Sequence, residues 1–486
     1  MLSKKQLNGS PWTGENRYHK HKEPHFKFFT PQFKYILLFS LFLLTWFLIL
    51  FQFWPPRPKT PTEPAATEAA AAVIIKKLIP SSCDGGASVY VYNLPTEFNL
   101  GLLRNCSHLS IYTSMCPHVA NNGLGQPLAA VDLPGSDGDR NAWFATHQFI
   151  AEMIFHARVE NHPCRTLDPS KADIFYVPFY GGLHASSMFR EFNRTVRDEL
   201  AVRLVDYLEK QPTWRKNNGE DHFIVLGRTA WDFMRSDSGP DFGANCLLNL
   251  PAVKKMSVMT VERNPWNGAN LHGIPYASYF HPSTAAQMLA WQRTVRESTR
   301  PYLFSFIGAP RKGVEKAAIR DELIKQCAES TRCRLVHCDH GNTKCYDPAE
   351  ILRIMKMSQF CLQAPGDSFT RRSTFDSILT GCIPVFFSPH MAYTQYGWFL
   401  PEEKEEYSVY MDEKEVTGGK RIIEEELMRI PAEKVERMRS TVINMIPRVT
   451  YSHPNASSGE LGFKDAVDVA LDALAKHVRG KIQKEG

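Results

Sequence analysis

Most of this 486-residue chain lacks an excess of charge of either sign, and no repeat period runs through it. The shortage of net charge in the body excludes the broad basic face that a nucleic-acid partner would need. The missing period sets aside repeat architectures, and nothing in the composition is collagenous or broadly disorder-prone. What remains is ordinary globular material, 43% hydrophobic and 22% charged. The length suits two domains with appendages, or one large domain with insertions.

Charge imbalance is concentrated at the start. Residues 1–34 carry Lys4, Lys5, Arg17, Lys20, Lys22, Lys27 and Lys34 against Glu15 and Glu23, about +5 of the chain's formal +6. The run that follows, Tyr35 to Trp54 (YILLFSLFLLTWFLILFQFW), has no charged residue. About 20 apolar residues cross roughly 30 Å of hydrocarbon as a helix, and Tyr35, Phe53 and Trp54 suit an interfacial belt. The run is long for a cleaved leader and no small-residue cleavage site follows it closely, so it reads as a signal-anchor. The positive-inside rule places 1–34 in the cytosol and everything after Trp54 across the membrane, a single-pass type II topology. Residues 55–82, rich in Pro, Ala and Thr, read as a stem linker.

That topology sets the redox compartment. All eleven cysteines lie after the span, in an oxidising lumen or outside the cell, where disulfides persist. The odd count leaves at least one thiol free or paired with another chain. Three N-x-S/T sequons on that side, at Asn105, Asn193 and Asn455, are glycosylation acceptors, whereas the one at Asn8 stays cytosolic.

From Cys83 onward the body alternates. Strand-like apolar runs occur at 88–92, 173–180, 222–226, 256–261, 303–307, 334–338, 359–363 and 383–387. Helical spacing of apolar residues marks 144–160, 193–210, 313–328 and a terminal stretch, 461–478. Strands alternating with helices imply parallel sheets under helical cover, an α/β class. A fresh strand–turn–helix begins at Leu303, so a boundary is expected near residue 298.

Two turns in the second half share one logic. In YLFSFIGAPRKGVEKAAIRDEL (302–323) a strand ends at Gly308, and Pro310-Arg311-Lys312-Gly313 leads into a helix. In QAPGDSFTRRSTFDSILTGCIPVFFSP (363–389) Gly366-Asp367-Ser368 and Arg371-Arg372-Ser373 do the same. Neither is a Walker A or a GxGxxG motif. Backbone N–H groups at a helix start, beside a cation, make an anion site, and a guanidinium matches phosphate oxygens bidentately. Two such turns suggest a diphosphate-bearing ligand at the carboxyl ends of strands. Asp376, early in the second helix, is placed to accept hydrogen bonds from ribose hydroxyls. The competing reading makes these arginines solvated charges on ordinary turns.

The second stretch closely resembles the signature of the exostosin-like glycosyltransferases, family 47, and most of all the plant branch of xyloglucan galactosyltransferases. ADIFYVPFYGGLH (172–184), DHFIVLGRTAWDF (221–233), GIPYASYFHP (273–282), LFSFIGAPR (303–311) and AYTQYGWFLP (392–401) extend the resemblance over roughly 83–475. It implies a GT-B enzyme of the Golgi membrane, with two Rossmann-like domains facing a cleft: 83–298 on the acceptor side, 299–455 holding the nucleotide sugar, and 456–486 as terminal helix and tail. The implied reaction is inverting transfer of a sugar, galactose first, from a UDP-sugar such as UDP-galactose to xyloglucan side chains in cell-wall synthesis. No metal or other cofactor is expected, and association with other Golgi glycosyltransferases is a further expectation. UDP-galacturonic acid or UDP-arabinose as donor, a mannan as acceptor, and a non-catalytic membrane-anchored scaffold or glycan-binding protein of the same fold stay open as alternatives.

Carried over residue by residue, the resemblance gives Arg311, Arg371, Arg372 and Ser373 to the diphosphate and Asp376 to the ribose or sugar hydroxyls. Tyr276 and His281 are expected near the cleft on the donor side. Inversion needs a general base on the acceptor hydroxyl and positive charge at the leaving diphosphate. Asp232 is the first candidate base, because it follows the strand at 222–226 at its carboxyl end; His147 and His184 come next. The plainer reading of Asp232 is a helix cap or salt-bridge partner, and of each histidine an ordinary hydrogen-bonded group.

Other features point to bland roles. Asp137-Gly138-Asp139 is formally a D-x-D triplet, but it sits in a Gly/Ser/Pro-rich stretch with no apolar strand before it and reads as a loop. Cys327, Cys333, Cys338, His340 and Cys345 lack the usual zinc spacing apart from one C-x₄-C, so disulfides are the better reading in an oxidising compartment. Trp231, Trp266, Tyr276, Tyr279, Tyr393, Tyr396 and Trp398 include candidates for stacking on sugar rings, with core packing as the alternative.

Overall fold

The computed structural model describes Trp46, Cys83 and residues 86–128, 140–236, 238–239, 241–338, 343–456 and 461–485. Residues 1–34, the apolar run other than Trp46, residues 55–82, Asp137-Gly138-Asp139 and His340 lie outside the described residues. Among the described residues no helix is long and apolar enough to cross a membrane. The described residues from Cys83 onward form one compact unit.

Two parallel sheets organise that unit. The first holds β1 (Val89–Val91), β2 (Arg165–Thr166), β3 (Ile174–Val177), β4 (His222–Thr229), β5 (Ser257–Glu262) and β6 (Leu271–Gly273), in the order 2-1-3-4-5-6. The second holds β7 (Tyr302–Gly308), β8 (Cys333–His337), β9 (Ser358–Leu362), β10 (Ile383–Phe386) and β11 (Val409–Tyr410), in the order 11-10-9-7-8. Each of the eight apolar runs falls on a strand. The edge strands β2, β6 and β11 were not anticipated, because two or three residues carry no readable period. Helical cover on both faces explains why the middle of β4, 223–226, is apolar: Phe223 and Val225 pack into one core cluster, Ile224 and Leu226 into the other.

In both sheets the chain steps from the first strand to one neighbour and then crosses to the other side. The order therefore reverses beside β1 and beside β7, and ligands of open α/β sheets sit outside the carboxyl ends at such a point. In the second sheet it falls between the paired strands β7 and β9. Those two strands lead directly into the two arginine-bearing turns, at 309–313 and 363–371.

Helices agree less closely with expectation. The stretch 144–160 is helical only over Ala151–Glu160. Its first part is held extended by long-range bonds, Phe144 N–H to Tyr279 O (2.9 Å) and Ala145 N–H to Gln126 O (2.8 Å). The pattern at 193–210 becomes Arg194–Glu209, capped by the Asn193 side chain, which accepts from Thr195 N–H. That at 313–328 opens as a 3₁₀ turn, Glu315–Ala317, before the helix Ile319–Glu329. The terminal helix, Ala466–Glu485, returns to the first half of the chain. Arg158 donates to Asp465 at 2.9 Å with both side chains fully buried, and His162 pairs with Asp468 at 2.9 Å.

The halves share core. The Phe375 ring lies 6.2 Å from Tyr276 and 4.9 Å from Tyr396, and Trp291 Nε1 donates to Leu379 O at 2.9 Å. Disulfides join Cys83–Cys164, Cys106–Cys116, Cys327–Cys333, Cys338–Cys345 and Cys361–Cys382. The 327–345 cluster thus consists of two bridges. The odd thiol is Cys246, half-buried, with its pKa pushed up to about 11 by burial and by the Asp198 carboxylate. Asn105, Asn193 and Asn455 are all exposed.

Candidate functional site

The two turns beyond β7 and β9 are built as one unit. Arg320 lies between them and spends its guanidinium on backbone carbonyls, Pro365 O at 2.6 Å, Ala309 O at 3.1 Å and Ala364 O at 3.2 Å. Read from sequence, Arg320 was one position on a helix face; here it is the pin that fixes both turns. Arg311 reaches from the first turn to Asp367 on the second at 2.9 Å, with half of its side chain exposed. Arg371 packs flat over Gly366, where an added Cβ would lie only 1.6 Å from Nη2. Glycine there is a matter of close approach. Arg371 Nη1 donates to Thr370 O at 2.9 Å.

Arg372, at the first position of helix Arg372–Leu379, reaches across to the other half. Nη1 donates to Thr146 O at 2.9 Å, Nη2 donates to the Tyr279 hydroxyl, and the guanidinium sits 4.2 Å from the centre of the Tyr279 ring. Tyr279 is buried, which pushes its phenol up to about 12 despite the adjacent cation. Asp376, one turn along, is also buried. It accepts from Ser278 Oγ at 2.6 Å and lies 3.6 Å from Arg372 Nε, and burial raises its pKa. The direct ribose contact expected of Asp376 is therefore replaced by a positioning role: its oxygens aim Arg372 and tie the helix to Ser278. Ser373 donates to the buried Gln363 Oε1 at 2.6 Å.

One carboxylate that the sequence reading passed over organises the opposite wall. Glu262 ends β5 and is fully buried. It accepts from Thr370 N–H (2.7 Å), Thr370 Oγ1–H (2.5 Å), Phe369 N–H (3.3 Å) and Trp231 Nε1–H (2.8 Å). The Tyr276 hydroxyl joins Thr370 Oγ1 at 3.1 Å. Tyr276 is thus a buried brace near the cleft, its phenol raised by burial. Beside it the AYTQYGWFLP loop docks on the same strand end. Gln395 accepts from Arg263 N–H (2.8 Å) and donates to Arg263 O (3.2 Å), while Tyr396 donates to Val261 O (2.7 Å). Gly273 permits this, since a Cβ there would meet Gln395 O at 2.2 Å. The signal for Glu262 was present: an acid at the carboxyl end of a mostly apolar run, 256–261.

The end of β4 carries the remaining candidates. Its pairing with β5 shifts register between Leu226 and Thr229. There Gly227 N–H donates to Glu152 at 2.9 Å, as do Gly182 and Leu183 N–H at 2.8 Å. Burial lifts the Glu152 carboxyl to about 7 even so. The irregularity turns Arg228 between the rings of Phe149 (4.4 Å) and Phe189 (4.7 Å). Asp232 accepts from Arg228 Nε at 2.8 Å and from Thr229 Oγ1 at 3.2 Å, with about 15% of its side chain exposed. The plainer expectation, a salt-bridge partner, is thus present, in a group that keeps some access to the crevice.

The histidines are corrected. His147 lies in the crevice, but its Nδ1 accepts from Phe149 N–H at 3.2 Å, so the neutral ring carries its proton on Nε2. Burial, His118 and the two guanidiniums of Arg372 and Arg228 push its pKa down to about 3. With Nδ1 bonded and Nε2 carrying the proton, the ring has no free lone pair to take a proton from an acceptor. His184 is elsewhere: it lines a cavity of about 450 Å³ with Glu97, Arg104 and Arg203, which shares no residue with the crevice. Burial lowers it to about 4. His281 is fully enclosed, Nδ1 at 2.8 Å from Tyr451 O and Nε2 at 2.9 Å from Thr146 Oγ1. It positions the Thr146 segment that Arg372 grips and does not face a ligand.

Burial depresses the His281 pKa from 6.5 to about 4. The unfolded imidazole takes up a proton near 6.5 and the folded one does not. The contribution of this group to stability is therefore complete above 6.5 and is lost as pH falls toward 4. Urea midpoints across that range should fall less steeply in His281→Gln than in the wild type; an identical slope would contradict the assignment.

Among the described residues no group of three or more His, Cys, Asp or Glu side chains is arranged to hold a metal ion. The arrangement gathers three guanidiniums and the start of a helix beside Thr146, Tyr279 and the segment held by Glu262. Such a grouping can meet the charge of a diphosphate.

Comparison with known proteins bears on what that crevice serves. The Exostosin GT47 domain matches residues 83–425. The probable xyloglucan galactosyltransferase GT17 of Arabidopsis thaliana is 63% identical over 404 residues, 83% of this chain and 86% of that protein. The xyloglucan galactosyltransferase MUR3 of the same plant is 46% identical over 395 residues, 81% of this chain and 62% of that longer protein. Among solved structures, the GtfA/B complex superposes with a TM-score of 0.28 at 13% identity, covering 58% of this chain and 60% of that one.

Proposed function

Because this chain belongs to the exostosin GT47 family, we propose that it is an inverting galactosyltransferase that moves galactose from UDP-galactose to xyloglucan side chains. Its two Rossmann-like lobes are read as a GT-B pair. The observation that carries this reading is the position of the arginine turns. Both lie at the order reversal of the second sheet, and Arg372 is held across the crevice by Thr146 and Tyr279. The names of the similar Arabidopsis proteins support the donor and acceptor.

In this reaction the acceptor hydroxyl oxygen bonds to the anomeric carbon from the face opposite the diphosphate. The bond from that carbon to the UDP oxygen breaks, and the hydroxyl proton passes to a base. Arg371, Arg372, Arg311 and the start of helix Arg372–Leu379 meet the charge growing on UDP, a role that guanidiniums can fill without a metal ion. Asp232 takes the proton: its carboxylate stays partly exposed at the end of β4, whereas His147 Nδ1 is already bonded to Phe149 N–H and His184 lines another cavity. Asp232→Asn is expected to lower kcat by about 10²-fold or more while UDP affinity, read by calorimetry, stays within twofold. Retained turnover would remove Asp232 as base. The reading as a whole is tested by incubating the full-length chain in detergent with a panel of UDP-sugars and xyloglucan oligosaccharides, with mass detection of products. No transfer from any donor would defeat it.

The cellular setting belongs to the same proposal. The basic tail, the apolar run and three exposed sequons support a type II glycoprotein of the Golgi membrane, catalytic body in the lumen, working beside other glycosyltransferases. Endoglycosidase-sensitive mass on Asn105, Asn193 or Asn455 is the direct check.

A further inference from the structure

Trp231, Trp266, Phe369 and His390 form a continuous aromatic patch. The Trp266 ring centre lies 6.1 Å from Trp231, 5.8 Å from Phe369 and 5.1 Å from His390, and Phe369 lies 5.3 Å from His390. Trp266 is 60% exposed, a costly place for an indole unless something covers it. Its position is nonetheless fixed. The buried Asn264 accepts from Trp266 N–H at 3.0 Å and Asn267 N–H at 3.2 Å. The patch is also tied to the crevice, because Glu262 holds Trp231 by its indole N–H and Phe369 by its backbone N–H. Trp231 is the chain neighbour of Asp232, and Phe369 lies two residues before Arg371.

Rigid aromatic faces with little side-chain entropy to lose suit ligands that offer flat apolar faces with polar rims. The axial C–H faces of a β-linked glucan are such a ligand. We propose that this patch binds pyranose rings of the acceptor glucan backbone and so presents a side-chain hydroxyl to Asp232. This inference rests on the xyloglucan reading above and adds the surface that recognises the acceptor. Trp231 and the exposed Trp266 come from the half that carries Asp232, while Phe369 and His390 come from the half that carries the diphosphate turns. The choice of a glucan over the uracil of the donor rests on the two indoles beside Asp232.

Two measurements on the full-length chain in detergent test it. In the transfer assay, Trp266→Ala should raise KM for a xyloglucan oligosaccharide about tenfold, with KM for the UDP-sugar moving less than twofold and Trp266→Phe restoring part of the loss. An unchanged acceptor KM, or a loss of UDP-sugar affinity in its place, overturns the proposal. Tryptophan-fluorescence titration with the oligosaccharide alone, without donor, separates this inference from the reaction assignment. Saturable binding that Trp266→Ala weakens supports the patch even if no transfer is seen. Absence of binding by the wild type, or equal binding by the variant, overturns it. Thermal melts of the variants, expected to match wild type at so exposed a position, show that the effect is local.

Discussion

Arg372→Ala is expected to lower kcat/KM for transfer by about 10²- to 10³-fold, a loss of about 3–4 kcal/mol in transition-state stabilisation. The reason lies in how the cation is held. Thr146 O and the Tyr279 hydroxyl fix two of its nitrogens, Asp376 lies near the third, and the Tyr279 ring lies 4.2 Å below. A guanidinium so constrained loses little freedom when a diphosphate arrives. Arg372→Lys should recover little, because one ammonium cannot reach these partners and a phosphate together. Steady-state kinetics with calorimetric UDP affinity checks the prediction, and a variant with native kcat/KM would end the diphosphate role of this residue. Because Arg372 also joins the halves, the melting temperature must be read alongside. Tyr279→Phe removes one restraint and keeps the cation, so its activity should fall between the two.

The second large effect is expected at Glu262. Four donors converge on its fully buried carboxylate, and three belong to Phe369 and Thr370, just before the arginine turn. Glu262→Ala leaves all four without an acceptor and should destabilise the fold by about 3–5 kcal/mol. Glu262→Gln is the more informative change. Its amide keeps one acceptor oxygen but turns an NH₂ toward groups that themselves donate, for a cost of about 2–4 kcal/mol. Urea unfolding gives the stability. UDP affinity of the folded fraction should fall as well, since the 369–371 segment loses its anchor. A Gln variant as stable as wild type would mean that the carboxylate does not hold that segment.

Much of the architecture was legible because it rests on local patterns. Each apolar run from 88–92 to 383–387 falls on a strand, since buried parallel strands must be apolar on both faces. The stretch 144–150 shows the limit. Its apolar residues fit a helical period, but Phe144 and Ala145 find better partners in Tyr279 and Gln126, and the helix waits until Ala151. The site divides in the same way. Arg311, Arg371 and Arg372 could be placed on turns after strands from local sequence alone, and their part in binding a diphosphate is the proposal made above. Glu262, Arg228, Arg320 and Tyr279 were not singled out for these roles, because their importance lies in partners far away along the chain. His147, His184 and His281 could not be told apart by composition. The structure separates them by burial and by which nitrogen is already bonded.

By itself the sequence determined where the eight apolar strand runs and the cation-bearing turns would fall, how many thiols could pair, and which family's signature the chain carries. These follow from periodicity, turn chemistry and counting, which act between near neighbours. Only the tertiary structure decided that Arg372 meets Thr146 and Tyr279, that Asp376 is a buried positioning group, and that Trp266 stands in the open beside Phe369. Whether a polar or aromatic side chain is sealed, paired or exposed depends on what the rest of the chain packs against it. The free energy of that burial is set by contacts between residues hundreds of positions apart, as with Arg372 and Thr146 at a separation of 226.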